Sequence, residues 1–81
     1  MQFNNEAVGQ TIREIRKSRN ISQEVLSGLA GMSRTHLTMI ENGSKQANFE
    51  TIWRISQALN MRPSELVYMI EVQVENKYDK V

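Results

Sequence analysis

Ser22-Gln23-Glu24-Val25-Leu26-Ser27-Gly28-Leu29-Ala30-Gly31-Met32-Ser33-Arg34-Thr35-His36-Leu37-Thr38-Met39-Ile40-Glu41-Asn42-Gly43 decides the fold of this chain. It reads as two short capped helices joined by a tight turn. Ser22 can cap the first, because its hydroxyl accepts from a backbone N–H that has no partner in the opening turn. That helix is expected over Gln23 to Ala30, with Val25, Leu26, Leu29 and Ala30 spaced to face inward. Gly31 ends it, since a glycine just past the last periodic residue takes the left-handed backbone that turns the chain sharply. Ser33 then caps a second helix that carries Leu37 and Ile40 toward the core and ends at Asn42-Gly43. Ser27 and Gly28 are small enough to let two helices cross closely.

Three details in register make this a specific helix-turn-helix pattern: the Ser22-Gln23 start, the turn glycine Gly31, and the ending Ile40-Glu41-Asn42-Gly43. On these residues the chain resembles the lambda-repressor-like, Cro-type (XRE) helix-turn-helix family of DNA-binding regulators. The resemblance runs from about Val8 to Leu66 and implies an all-α, five-helix DNA-binding domain.

Size and composition agree. The 81 residues make one domain, too small for a large core, so a helical bundle stabilised by dimerisation is the natural solution. There is no cysteine, one histidine (His36) and no phosphate-cradling glycine loop. Thiol chemistry, disulfides and multi-histidine metal sites are therefore excluded, and neither an enzyme, a cofactor nor a metal is expected. The lack of cysteine fits the cytoplasm. No signal peptide and no apolar run near 20 residues is present, so neither secretion nor membrane insertion is expected.

The net charge of +1 conceals an asymmetry. Residues 1–63 carry eight Lys/Arg against five Asp/Glu, whereas residues 64–81 carry two against four. Attraction for phosphate is thus concentrated in the first four helices, and the acidic end should point away from DNA or toward another protein.

Outside the motif, Val8, Ile12 and Ile15 form one apolar stripe of a first helix expected over Asn5 to Arg19, with Asn20 and Ile21 linking it onward. A polar loop follows Gly43. A fourth helix is expected from about Phe49 to Leu59, capped by Asn48, with Phe49, Ile52, Ile55 and Leu59 on one face. Pro63 suits the first position of a fifth helix, with Ser64 and Glu65 in its opening turn. Leu66, Val67, Tyr68, Met69, Ile70, Val72 and Val74 are too many apolar residues for one face of a helix on a small monomer. Either the fifth helix extends and buries a second face in a partner, or the alternation Ile70-Glu71-Val72-Gln73-Val74-Glu75 marks a short C-terminal strand, or the segment folds back over the chain's own core. The chain accordingly divides into a DNA-binding domain, residues 1–69, and a tail, residues 70–81, for dimerisation or partner binding. Leu66, Met69, Ile70, Val72 and Val74 are the expected dimer interface.

The family resemblance also assigns roles. Arg16 and Glu41 match an architectural ion pair between the first and third helices, in which a planar guanidinium holds the carboxylate with two bonds and donates to nearby carbonyls. Removing one partner would leave a partly buried charge unpaired, at a cost of about 3 kcal/mol. The first turn of the third helix should enter the major groove, where base edges carry a distinguishable donor and acceptor pattern. Arg34, Thr35, Thr38 and Met39 occupy the base-contacting positions: Arg34 can donate twice to guanine, Thr35 can hydrogen-bond or meet a thymine methyl, and Met39 offers apolar contact alone. Met39 departs from the polar residues expected there. Gln23, Ser33, Asn42, Ser44 and Lys45 match phosphate contacts. Trp53 is expected to pack, over the fourth helix or a dimer edge.

Two functions follow. The first is a sequence-specific, homodimeric repressor-type transcriptional regulator of double-stranded DNA, acting on an inverted-repeat operator. The second is an antitoxin-like interaction protein whose tail binds another protein and whose DNA binding is secondary.

Overall fold

Where each helix stops is set by turns built to one plan. The computed structural model describes the chain from Gln2 to Asp79, with side chains through Asn76. Among the described residues the elements are α1 (Asn5–Ser18), α2 (Gln23–Leu29), α3 (Arg34–Glu41), α4 (Phe49–Ala58) and α5 (Pro63–Asp79). Asn4, Ser22, Ser33 and Asn48 open the first four, each side-chain oxygen accepting from a first-turn N–H. At α5 the Glu65 carboxylate accepts from the N–H of Arg62 at 2.8 Å, closing the first turn around Pro63.

The first four helices also end alike. Asn20 (φ 57°), Gly31 (68°), Gly43 (81°) and Asn60 (58°) take left-handed backbone. The N–H of each following residue reaches back five positions: Ile21 to Arg16, Met32 to Ser27, Ser44 to Met39 and Met61 to Ser56. Ile21, Met32 and Met61 also pack against the core. This is the Schellman closure with its hydrophobic contact. Because Arg19, Ala30 and Leu59 serve as C-caps within these closures, α1, α2 and α4 each end one residue earlier than the sequence pattern indicates.

The core is one cluster: Val8, Ile12 and Ile15 of α1, Leu26 and Ala30 at α2, Leu37 and Ile40 of α3, Ile52, Ile55 and Leu59 at α4, and Leu66 of α5. α1 packs on α3 and α5, α2 on α3 and α4, and α4 on α5. Two expected inward positions on α2 are wrong. Leu26 and Ala30, four residues apart, face the core, which turns Val25 and Leu29 about 100° away into solvent. Leu29 is 65% exposed. Phe49 is likewise outside, 68% exposed, with its ring meeting Trp53 edge-on at 5.9 Å. The close helix crossing also lies elsewhere. A Cβ on Gly28 would meet nothing within 4 Å, whereas one on Gly9 would lie 2.6 Å from the Glu41 carbonyl oxygen and still closer to that of Ile40. Gly9 lets α1 rest directly on the last turn of α3.

The C-terminal ambiguity resolves as helix through Asp79. Leu66 and Val74 are buried and Ile70 half-buried, at a spacing of four residues, so the face they form packs down on the chain's own core. Fully buried Leu66 and nearly buried Val74 therefore cannot line a dimer interface in this arrangement. The apolar surface that remains outside on α5 is Val67, Tyr68 and Met69, with Ile70 and Val72 partly covered. α5 runs unbroken across the expected boundary at 69/70; positions 80 and 81, and the side chains of residues 77–81, lie outside the described residues. No helix of the described residues is long and apolar enough to cross a membrane.

Candidate nucleic-acid interface

α3 is rooted by Leu37 and Ile40 and presents its opposite side to solvent. Ser33 Oγ accepts from the His36 N–H at 3.0 Å and fixes where the helix begins. Arg34 and Thr35 are exposed in its first turn, Met39 is exposed one turn on, and His36 is half-buried. Thr38 is half-buried as well. Its hydroxyl lies 2.9 Å from the Arg34 carbonyl and 3.1 Å from Gln23 Oε1, so its single proton is used within the protein. What Thr38 offers outward is a methyl group and a lone pair, less than a base-reading donor.

Beneath α3 lies a buried polar network. Arg16 Nε donates to Glu41 Oε2 at 2.8 Å and Arg16 Nη2 to Glu41 Oε1 at 3.0 Å. Arg16 Nη1 donates to the Ile21 carbonyl at 2.9 Å, and Gln23 Nε2 to Glu41 Oε1 at 3.0 Å. The Arg16 side chain is 10% exposed and that of Glu41 2%. A charge pair this buried is tolerable only when further hydrogen bonds support it, and here Ile21 and Gln23 supply them. The network ties α1, the α1–α2 link and the start of α2 to the end of α3. Gln23 is consequently a bridge between Glu41 and Thr38, with one amide N–H left over for any other acceptor.

Beyond α3, Asn42 Oδ1 accepts from the Ser44 N–H at 2.9 Å, and Ser44 Oγ donates to the Met39 carbonyl at 3.2 Å. The Ser44 hydroxyl proton and N–H are thus both turned inward, which removes Ser44 as a phosphate donor in this conformation. Lys45 is exposed, with its own N–H on the Met39 carbonyl at 3.2 Å. Ser33, Asn42 and Lys45 keep donors that face solvent.

Two residues that the sequence pattern does not single out belong here. Gly9 is one; a glycine inside a helix costs about 0.5–1 kcal/mol against alanine, and that misfit was its signal. The other is Arg13, exposed on α1, which lines a polar groove with Arg16, Ser22, Gln23, Arg34, Thr38, Glu41 and Asn42.

Comparison with known proteins places this geometry in a family. The Helix-turn-helix (HTH_3) family model matches residues 12–66. The chain is 38% identical over 60 residues to the control protein C.BamHI of Bacillus amyloliquefaciens, covering 73% of this chain and 74% of that protein. It is 35% identical over 75 residues to the ImmF control region 10 kDa protein of Bacillus phage phi105, covering 90% and 82% respectively. Among solved structures, the restriction-modification controller protein C.AhdI of Aeromonas hydrophila superposes with a TM-score of 0.74 at 32% identity, over 76% of this chain and 94% of that one. The chain belongs to the XRE-type helix-turn-helix (HTH_3) family.

Proposed function

We propose that this helix-turn-helix protein is a sequence-specific regulator of transcription that binds double-stranded DNA as a homodimer on an inverted-repeat operator. The observation that carries the reading is the exposed first turn of α3, with Arg34 and Thr35 presented on a helix whose two ends are held by Ser33 and the buried Arg16–Glu41 pair. A recognition helix must be immobile relative to the backbone contacts that set its register, and the network supplies that. Arg34 donates to a guanine edge, Thr35 meets a neighbouring base, and Met39 packs against an apolar group such as a thymine methyl. Thr38 acts through its methyl and by its bond to Gln23. Ser33, Asn42, Lys45 and the remaining amide N–H of Gln23 contact phosphates. The similarity to control and controller proteins supports the same reading.

In this reading residues 1–69 supply every DNA contact, and the tail, residues 70–81, belongs to the association segment, with 70–79 continuing α5. The dimer face is redrawn from the sequence expectation: Phe3, Phe49, Val67, Tyr68 and Met69 are exposed, and Met69, Ile70 and Val72 remain as members of the original set. An apolar surface of this extent on so small a domain calls for cover. A different protein seated on that face would be the antitoxin-like alternative. The protein acts in the cytoplasm, without catalysis and without a cofactor.

Selection of bound duplexes from random DNA, with sedimentation of the complex, tests the proposal. An enriched inverted repeat bound by two chains is expected. No enrichment, or a monomer that persists on a palindromic site, overturns it.

A further inference from the structure

The groove lined by Arg13 favours an anion because the oxygens of Glu41, Gln23, Ser22 and Asn42 already accept within the protein while several donors stay open. Both Glu41 oxygens are taken, by Arg16 and by Arg16 with Gln23. Gln23 Oε1, at 3.1 Å, shares the single Thr38 hydroxyl proton with the Arg34 carbonyl at 2.9 Å, Ser22 Oγ accepts from the Val25 N–H at 3.1 Å, and Asn42 Oδ1 accepts from the Ser44 N–H at 2.9 Å. The donors that remain toward solvent are the Ser22 hydroxyl proton, the second amide N–H of Gln23, the Asn42 amide and the guanidinium groups of Arg13 and Arg34, beside the lone pair of Thr38.

The charge balance points the same way. Arg16 and Glu41 cancel, so the groove carries the two uncompensated charges of Arg13 and Arg34, neither of which is held by an ion pair among the described residues. The depression on the other side of Arg13 differs. It sets Arg13 and Lys17 against Glu6 and Glu14, with Glu41 already paired. Arg13 stands on the ridge between the two, and the positive potential lies on the Arg34 side.

We infer that this groove seats one DNA backbone phosphate and that Arg13 of α1 is the cation that clamps it, opposite Arg34 reading the bases. The inference rests on the DNA-binding reading above. It adds α1 to the footprint and gives Arg13 a positioning role, independent of base sequence.

The test compares wild type with Arg13→Gln and Arg13→Lys on the selected duplex and on an unrelated duplex, each across a range of sodium chloride. Arg13 is exposed, so the variants should match the wild type in helical circular dichroism and melting temperature. For Arg13→Gln we expect affinity to fall three- to tenfold on both duplexes alike, the slope of log affinity against log salt to shrink by about 0.9 per protomer, about 1.8 for the dimer, and the selected base preference to stay unchanged. Arg13→Lys should restore the slope. If Arg13→Gln leaves affinity and slope unchanged while the wild type binds, the clamp is wrong and the DNA-binding reading stands. A loss confined to the selected duplex with an unaltered slope would make Arg13 a base contact and equally overturn the clamp. Failure of the wild type to bind either duplex would overturn both.

Discussion

The end of the molecule that presents α3 and the face shared by Phe3, α4 and α5 are held by opposite means. At α3 the organising contacts are polar: buried Arg16 and Glu41 and half-buried Gln23 and Thr38 fix one another through hydrogen bonds, and Gly9 brings the backbones of α1 and α3 together. On the α4–α5 side the buried layer is apolar apart from Ser56, whose hydroxyl donates to the Trp53 carbonyl of its own helix, and further apolar groups lie outside it, around a groove lined by Phe3, Ala47, Phe49, Ile52, Val67 and Ile70. Polar networks are directional and set one geometry; apolar surfaces are non-directional and accept any partner of fitting shape. The first end is therefore built to hold its shape without a partner, and the second gains most from one.

The contrast predicts that damage at the two ends differs in kind. The largest effect is expected for Glu41→Ala, which leaves the Arg16 guanidinium buried and unpaired. The cost should be about 3 kcal/mol, a melting temperature lower by about 12 °C or more for a domain of this size. Urea denaturation measures it, and a loss below about 1 kcal/mol would show that the network contributes little to holding α3. Gly9→Ala comes next. Its methyl would press on the Ile40 and Glu41 carbonyls, which are backbone and have nowhere to go, so about 1–3 kcal/mol of stability should be lost. A neutral result would mean that α1 and α3 can separate without consequence.

Arg34→Ala sharpens the comparison by leaving the network intact. Helical circular dichroism and melting temperature should match the wild type, while binding to the selected duplex weakens by about 1–3 kcal/mol and preference relaxes at one base pair. Equal weakening on selected and random duplexes would reassign Arg34 to a phosphate. On the other face, Val67→Asp introduces a charge where cover is expected, on a side chain exposed in the single chain. Monomer stability should change little, and sedimentation should show dissociation at concentrations about tenfold or more above those at which the wild type separates, equivalent to about 1.4 kcal/mol. An unchanged association constant would remove this face from the dimer.

How much of this was legible in the sequence follows the same division. Ser22, Ser33 and Asn48 could be named as caps, and Gly31 and Gly43 as turn residues, because capping and left-handed backbone are local chemistry. Asn20 and Asn60 do the same work less visibly, since asparagine only tolerates the left-handed region that glycine prefers. The Arg16–Glu41 pair was readable only through the family pattern, as its partners are 25 positions apart. Direction was the weak point. Apolar character does not say which side of the seven-residue α2 is inward, so Val25 and Leu29 were misplaced, and the same holds for Phe49 at the first position of α4. At Ile70 to Glu75 a strand-like alternation competed with the four-residue spacing of Leu66, Ile70 and Val74, and packing on the core decided for the helix. Arg13 could not be found at all, because which donors of its groove stay open depends on how the folded chain pairs its polar groups.

The smallest effect is expected at Lys45, and it tests whether the polar end is uniform in character. Lys45 lies just beyond the network, exposed, with its backbone N–H fixed to the Met39 carbonyl and its ammonium group in solvent. Nothing within the fold depends on that charge, so Lys45→Ala should leave stability unaltered. An ammonium on a flexible stem is a point charge without a preferred base edge, so its contribution to binding is electrostatic and insensitive to sequence. It is also screened, with a Debye length of about 8 Å at physiological salt. Selected and unrelated duplexes should therefore weaken alike, by less than about 1 kcal/mol per protomer at that salt, and the slope of log affinity against log salt should shrink by about 0.9 per protomer, about 1.8 for the dimer. Measuring both duplexes at several salt concentrations decides the matter. If Lys45→Ala instead shifts base preference with the slope intact, the reading surface extends past the end of α3, and the boundary drawn here between a rigid reading helix and its sequence-blind flank has to move.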